Sequence, residues 1–258
     1  VSVLINSDWS RDAPLIIAHR GASAYAPENT MAAFRLAGEL GADAIELDAK
    51  LTRDGRIVVH HDATLGRTTT GSGRLSDHTL AQIQQLDAGS KFDVRFLGER
   101  VPTLEQVLAE IGRELLINVE LKDYACPWDD LPRAAAALVQ SMGLQARVLF
   151  SSFSPLALRR ARKQAPEIPT GLLMMASDHR ARRGLYRTIS HPWACHPEER
   201  MVHPGLIDDE HRRGRRVNVW TVDDAAQIRQ LFEWGIDGVI TVVPDVARRV
   251  RDEQAGRS

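Results

Sequence analysis

The sequence predicts an α/β fold, a (β/α)8 barrel with a small insertion after its second strand, and three observations lead there. Short runs rich in β-branched and aliphatic residues alternate with helical stretches, which implies parallel pairing because each helix is the crossover between neighbouring strands. Eight such runs fit within 258 residues, the usual size of that barrel. The rhythm breaks once, between the second run and a helix beginning near residue 103, and the break carries turn chemistry in place of further alternation.

Strands are expected at LIIAH (15–19), DAIELD (43–48), ELLINVELK (114–122), RVLFSSF (147–153), TGLLMM (170–175), WACHP (193–197), VNVWTV (217–222) and DGVIT (237–241). Helices are expected between them at 29–40, 103–112, 130–142, 155–164, 178–188, 204–213 and 223–234, with a last one at 244–253. Several carry start and stop signals. Asn29-Thr30 after Pro27-Glu28 reads as the N-cap of the first helix, leaving Glu28 a minor place at any site. Thr103 with Gln106 three residues on forms a capping box. Ser154-Pro155 is the pairing expected at N-cap and first turn. Asp223 and Asp224 precede AAQIRQLFEWG, whose Gly235 is a natural C-terminal stop. The insertion covers about 51–102. Asp54-Gly55 is a hairpin signal that folds IVVHH (57–61) back on the second strand. RTTTGSGRLSDHTL and KFDVRFLGER read as a surface excursion with a short helix near 79–86, anchored by Arg67 with Thr68 and Thr69. The chain is thus expected to form one domain over 1–258, with the insertion above the C-terminal rim of the strands.

Composition narrows the function classes. Thirty-three Lys plus Arg against 34 Asp plus Glu give a net charge of −1, so no long uncompensated basic face is available for nucleic acid. HRRGRR (211–216) and DHRARRGLYR (178–187) read as solvated helix surfaces. The apolar fraction of 43% excludes disorder. Cys126 and Cys195 make neither a disulfide framework nor a CxxC zinc site. No apolar run reaches the roughly 18 residues of a membrane helix, and VSVLINSDWS lacks the layout of a signal peptide. The expectation is a cytoplasmic enzyme with a small-molecule substrate and no stable membrane insertion.

Alternation locates the chemistry. In DAIELD, Ile45 and Leu47 share one side and Glu46 and Asp48 the other; in INVELK, Ile117, Val119 and Leu121 oppose Asn118, Glu120 and Lys122. If the apolar sets face the helices, Glu46, Asp48, Glu120 and Lys122 turn toward the barrel axis. Three crowded carboxylates repel and raise each other's pKa unless a cation binds between them, and an oxygen-only set favours Mg²⁺, Ca²⁺ or Mn²⁺. The competing reading is a barrel-interior ion pair of Glu46 or Asp48 with Lys50 or Lys122, which desolvation makes expensive. His19 ends the first strand, followed by Arg20, at the rim where such barrels place catalysis. His61 ends the returning hairpin strand, level with Asp48. Two imidazoles beside a cation suit paired proton transfer, and the metal with Arg20 suits charge building on a phosphoryl centre. His60 alternates to the other side and has no assigned role. His78, His179, His191, His203 and His211 are read as structural, and His196, at the end of a strand, more loosely so. Trp220 alternates inward near the rim, against substrate or simply in the core. Trp9, Trp128, Trp193 and Trp234 are read as packing.

The string HRGASAYAPENTMAAF, then GADAIELDAKLTRDGRIVVHHDATLGRTT, VPTLEQVL, NVELK, FSSFSP and VWTV, resembles the bacterial glycerophosphodiester phosphodiesterases over roughly residues 15–245. The resemblance implies a (β/α)8 barrel with an insertion after the second strand. It also implies one divalent metal, Mg²⁺ first, with Ca²⁺ or Mn²⁺ as alternatives, held by Glu46, Asp48 and Glu120. Acid–base histidines at His19 and His61 and phosphate contacts from Arg20 and Lys122 follow from it as well. The substrates it implies are glycerophosphocholine and glycerophosphoethanolamine, cleaved to sn-glycerol 3-phosphate and an alcohol through a cyclic phosphate. Which histidine plays which part rests on the resemblance alone. Two departures stand out: Thr241-Val242-Val243-Pro244 where the family commonly has T-D-x-P, and Cys126-Pro127-Trp128, a local choice beside the pocket.

Two rival readings remain. A phospholipase D-like or C-like enzyme acting on lysophospholipids needs an apolar docking surface, which the polar RTTTGSGR stretch of the insertion disfavours. A non-catalytic ligand-binding barrel is disfavoured by the presence of every polar residue the chemistry needs.

Overall fold

A computed structural model describes residues 8–10, 13–122 and 129–256. In chain order the strands are β1 (Leu15–His19), β2 (Ala44–Leu51), β3 (Ile57–Val59), β4 (Leu116–Leu121), β5 (Val148–Ser152), β6 (Thr170–Met174), β7 (Ala194–Pro197), β8 (Arg216–Val219) and β9 (Gly238–Thr241). The α-helices are α1 (Met31–Glu39), α2 (Leu80–Ile83), α3 (Leu104–Ile111), α4 (Leu131–Ser141), α5 (Pro155–Gln164), α6 (Arg180–Ser190), α7 (Pro204–Arg212), α8 (Ala225–Glu233) and α9 (Pro244–Ala255).

Every strand but β3 is parallel to its neighbours, and β1 pairs with both β2 and β9, so eight strands close into a barrel. Alternation then sorts the core into two shells. Ile16, Ala18, Ile45, Leu47, Val119, Val217 and Val239 point outward and pack with helix residues such as Phe34, Leu104 and Leu108. Leu15, Ile17, Ala44, Leu116, Leu149 and Ile240 point inward with Trp9. The barrel is therefore apolar where most strands begin and polar where they end, and the chemistry has one end available to it. Two glycines make room for polar side chains inside the barrel: a Cβ on Gly171 would stand 2.5 Å from the His196 ring, and one on Gly238 would stand 2.6 Å from Asn218 Oδ1.

The hairpin forms as the Asp54-Gly55 signal requires, with Gly55 at φ +73° and β3 antiparallel to the end of β2. Beyond it Val58, Leu65, Leu75, Ile83, Ala88 and Val101 make a separate small apolar cluster. Thr30, Thr103, Ser154 and Asp224 all cap their helices through side-chain oxygens. Most boundaries move by one or two residues, and three differences bear on the site or on a helix register. The run 217–222 is strand only to Val219, the helix expected at 178–188 is displaced by two residues, and the hairpin strand ends before His60. Cys126-Pro127-Trp128 lies outside the described residues. Among the described residues no helix is long and apolar enough to cross a membrane.

Candidate active site

β1 and β2 are aligned so that His19 stands beside Glu46, and β2 and β4 so that Asp48 stands beside Glu120. That register, with inward alternation, gathers three carboxylates from two adjacent strands. Glu46, Asp48 and Glu120 are all buried, and one oxygen from each lies within 4.8 Å of the others. An all-oxygen set this compact suits a hard divalent cation.

The cluster also has cationic neighbours. Lys122 Nζ lies 3.0 Å from Asp48 Oδ1 and 2.9 Å from Glu120 Oε1, and Arg20 Nε lies 3.3 Å from Asp48 Oδ2. The ion pair weighed against a metal site thus exists for Lys122, but it leaves Glu46 out. Burial, then the charges of Asp48 and Glu120, push the Glu46 carboxyl well above the ordinary carboxylate range. Burial acts the same way on Asp48, yet Lys122 and Arg20 outweigh it and hold that group below its usual value. A site in which one of three acids resists ionisation until more positive charge arrives fits a cation between them.

Each histidine has its own setting. His19 Nε2 is 3.9 Å from Glu46 Oε2, and burial with the adjacent Arg20 charge lowers its pKa to about 3. The imidazole is therefore in its neutral form at pH 7. His61 follows β3 closely, since the His60 N–H still donates to the Asp48 carbonyl at 2.8 Å. Its Nδ1 lies 2.6 Å from Asp62 Oδ1, which orients the ring. Asp62 is gripped by Arg67, and Arg67 donates to both Glu28 oxygens at 2.7 Å. Glu28 in turn accepts from Arg20 at 2.9 Å. Arg67 thus anchors the insertion as expected, and Glu28 has a larger place than its sequence reading allowed, because it steers Arg20.

His19, Arg20, Glu46, His61, Glu120, Lys122 and Trp220 line one cavity of about 110 Å³, with Asp48 buried behind them. Phe153 meets Trp220 edge to face with centroids 5.6 Å apart, giving that cavity an aromatic side. A larger cleft, about 890 Å³, lies on the outer wall between α6 and α7 and contains none of these residues.

Several contributors escaped the sequence reading. The sequence reads Asn29 with Thr30 as a cap, but only Thr30 caps; Asn29 Nδ2 donates to Asp48 Oδ2 at 2.8 Å, and the Asp48 N–H donates back to Asn29 Oδ1 at 3.2 Å. Asn118 and Ser151 line the cavity with buried side-chain polar atoms that have no protein partner. Their inward alternation was the available signal. Asp223 accepts from Thr241 Oγ1 at 2.8 Å and from the Val242 N–H at 2.9 Å, supplying a carboxylate beside the strand end where the expected one is missing. His196 is fully buried, accepts from Asn218 at Nε2, and is structural. His60, His78 and His203 likewise serve local bonds, and His211 Nε2 lies 2.7 Å from Asp237 Oδ2.

Comparison with known proteins agrees with this geometry. The model of the glycerophosphoryl diester phosphodiesterase family matches residues 19–246. The chain is 39% identical over 236 residues to a glycerophosphodiester phosphodiesterase of Caldanaerobacter subterraneus subsp. tengcongensis, covering 90% of this chain and 95% of that one. It is similar in structure to an Oleispira antarctica phosphodiesterase in complex with the product sn-glycerol-3-phosphate, with TM-score 0.84, 31% identity, and 93% and 97% of the two chains covered. A glycerophosphodiester phosphodiesterase from Agrobacterium tumefaciens gives TM-score 0.80 at 34% identity, with 92% and 99% covered. The match runs from the histidine at the tip of β1 into the last helix, and the chain belongs to the glycerophosphoryl diester phosphodiesterase family.

Proposed function

We propose that this enzyme hydrolyses glycerophosphodiesters such as glycerophosphocholine and glycerophosphoethanolamine to sn-glycerol 3-phosphate and the free alcohol, with Mg²⁺ held by Glu46, Asp48 and Glu120. Ca²⁺ and Mn²⁺ suit the same oxygen donors. The observation that carries the reading is the buried carboxylate trio, two of whose members, Glu46 and Glu120, line the same cavity as His19 and His61. When bound, the cation supplies Lewis acidity toward the phosphate and the neighbouring glycerol hydroxyl.

The protein's own groups do the rest. His19, neutral at working pH, accepts the proton of the glycerol hydroxyl as its oxygen attacks phosphorus. His61, oriented by Asp62, gives a proton to the departing alcohol oxygen as the P–O bond breaks. Water then opens the cyclic phosphate with the two roles exchanged, returning both histidines to their starting state. Arg20 and Lys122 hold the phosphate oxygens and stabilise their growing charge. Trp220 packs against the glycerol or the alcohol, with Phe153 fixing its ring.

Choline release from glycerophosphocholine tests the reading. Activity should vanish with EDTA and return with Mg²⁺. Replacing His19 or His61 by Ala should lower kcat by about 100-fold or more. EDTA-insensitive turnover, or normal turnover in Glu46→Ala, would overturn the metal assignment.

A further inference from the structure

Two buried polar side chains of the cavity have no part in the reaction as described. Asn118 and Ser151 are each 1% exposed. Among the described residues, neither amide atom of Asn118 nor the Ser151 hydroxyl has a hydrogen-bond partner. Buried polar side chains nearly always have partners, and leaving them without one is costly to the fold. Two such residues lining one cavity point to something that binds there.

Strand register places them among the reacting groups. His19, Glu46 and Asn118 stand in one row across β1, β2 and β4, and Asp48, Glu120 and Ser151 in another across β2, β4 and β5. Each row passes through the carboxylates and ends on an unpartnered polar group. Along their own strands, Asn118 lies one alternation step deeper in the barrel than Glu120, and Ser151 one step deeper than Phe153. The two therefore face the closed end of a cavity of only about 110 Å³, where a small fragment of a substrate fits and a whole diester does not.

Donor and acceptor chemistry selects the fragment. The Asn118 amide offers two donors and an acceptor, and the Ser151 hydroxyl both donates and accepts. A phosphate oxygen only accepts, and would set negative charge against the amide oxygen. A cation would take the oxygens and leave the amide donors unpaired. A hydroxyl donates and accepts, and so satisfies both residues. Leu173 and Ile240 line the same cavity and give the C–H edge of a polyol an apolar neighbour. Position selects which hydroxyl. His61, with its side chain 31% exposed, serves the departing alcohol toward solvent, whereas His19, on the Asn118 row, serves the attacking hydroxyl. We propose that Asn118 and Ser151 bind the glycerol hydroxyl that does not attack phosphorus, and so select diesters of glycerol over those of diols lacking it. This assignment rests on the phosphodiesterase reading above and adds which end of the substrate lies deepest.

The test compares glycerophosphocholine with 2-hydroxypropyl phosphocholine, which keeps the attacking hydroxyl and lacks the terminal one. Calorimetric binding of sn-glycerol 3-phosphate and of 2-hydroxypropyl phosphate, both with Mg²⁺ present, gives a readout independent of turnover. The native enzyme should prefer the glycerol compound by about tenfold or more in kcat/KM and in affinity, because the deoxy compound leaves buried polar groups unpaired. In Asn118→Leu/Ser151→Ala the preference should shrink to within about threefold, through loss on the glycerol compound alone. Ser151→Ala, the smaller change, should lower the preference by about threefold and leave Tm unchanged or raised, since no protein hydrogen bond is lost. A native enzyme indifferent to the missing hydroxyl would overturn the assignment and leave both side chains to ordered water. Proportional losses on both compounds in the variants would also overturn it, and would make these residues supports of the carboxylates. Failure of the native enzyme on glycerophosphocholine would instead overturn the phosphodiesterase reading, and the binding comparison is scored independently of it.

Discussion

At Asn29 the backbone takes φ +59°, a left-handed conformation that asparagine tolerates better than most residues. That turn aims its amide at Asp48 while the next residue caps α1. In sequence Asn29-Thr30 reads as one cap; in space the two residues have separate partners. Outer partners of metal-binding carboxylates set orientation and basicity. Asn29→Gly keeps the left-handed backbone accessible and removes only the amide, so Mg²⁺ affinity measured by calorimetry should fall by about 10- to 100-fold. Unchanged affinity would mean that Asp48 is positioned without it. Glu28 and Asp223 teach the same lesson, each satisfying groups distant in the chain.

At the scale of elements, alternation and capping chemistry were legible because they are short-range. DAIELD and INVELK turned their acids inward as the two-residue period requires. The Thr103 capping box is present in full, with the Gln106 N–H donating to Thr103 Oγ1 at 3.1 Å and the Thr103 N–H donating to Gln106 Oε1 at 2.9 Å. Thr103→Ala should cost about 1 kcal/mol and lower Tm by about 2–4 °C for a chain of this size. Choline release should be unaltered, since α3 packs on the outer shell. A Tm unchanged in scanning calorimetry would remove the cap from α3's stability. Trp220 marks the limit of this scale. Its strand ends at Val219, and its position is set by a bond from its indole N–H to the His196 carbonyl at 2.7 Å and by Phe153, neither of which is local in sequence.

For the whole molecule, closing the barrel commits polar groups to its interior. Burial lowers the His196 pKa to about 3, whereas an unfolded chain would take that proton near 6.5. Above pH 6.5 the residue is neutral in both states and contributes no pH dependence. Between about 6.5 and 3 the unfolded state binds more protons, so stability falls as pH falls. The penalty from this one group is about 2 kcal/mol at pH 5. Urea unfolding of His196→Gln should accordingly lose less stability between pH 7 and pH 5 than the native protein. Equal losses would show that His196 is not the neutral buried group.

Strand and helix order, the hairpin after the second strand, the inward side of each acidic strand and the family motifs are legible in the chain alone. All of these follow from neighbours along the chain or from short spacings. Only the tertiary structure decided that Asn29 supports Asp48, that Glu28 and Arg67 steer Arg20, and that Asp223 serves the end of β9. Those relations depend on strand register and on which loops meet when the barrel closes, and no local pattern encodes a distance between residues far apart in the chain.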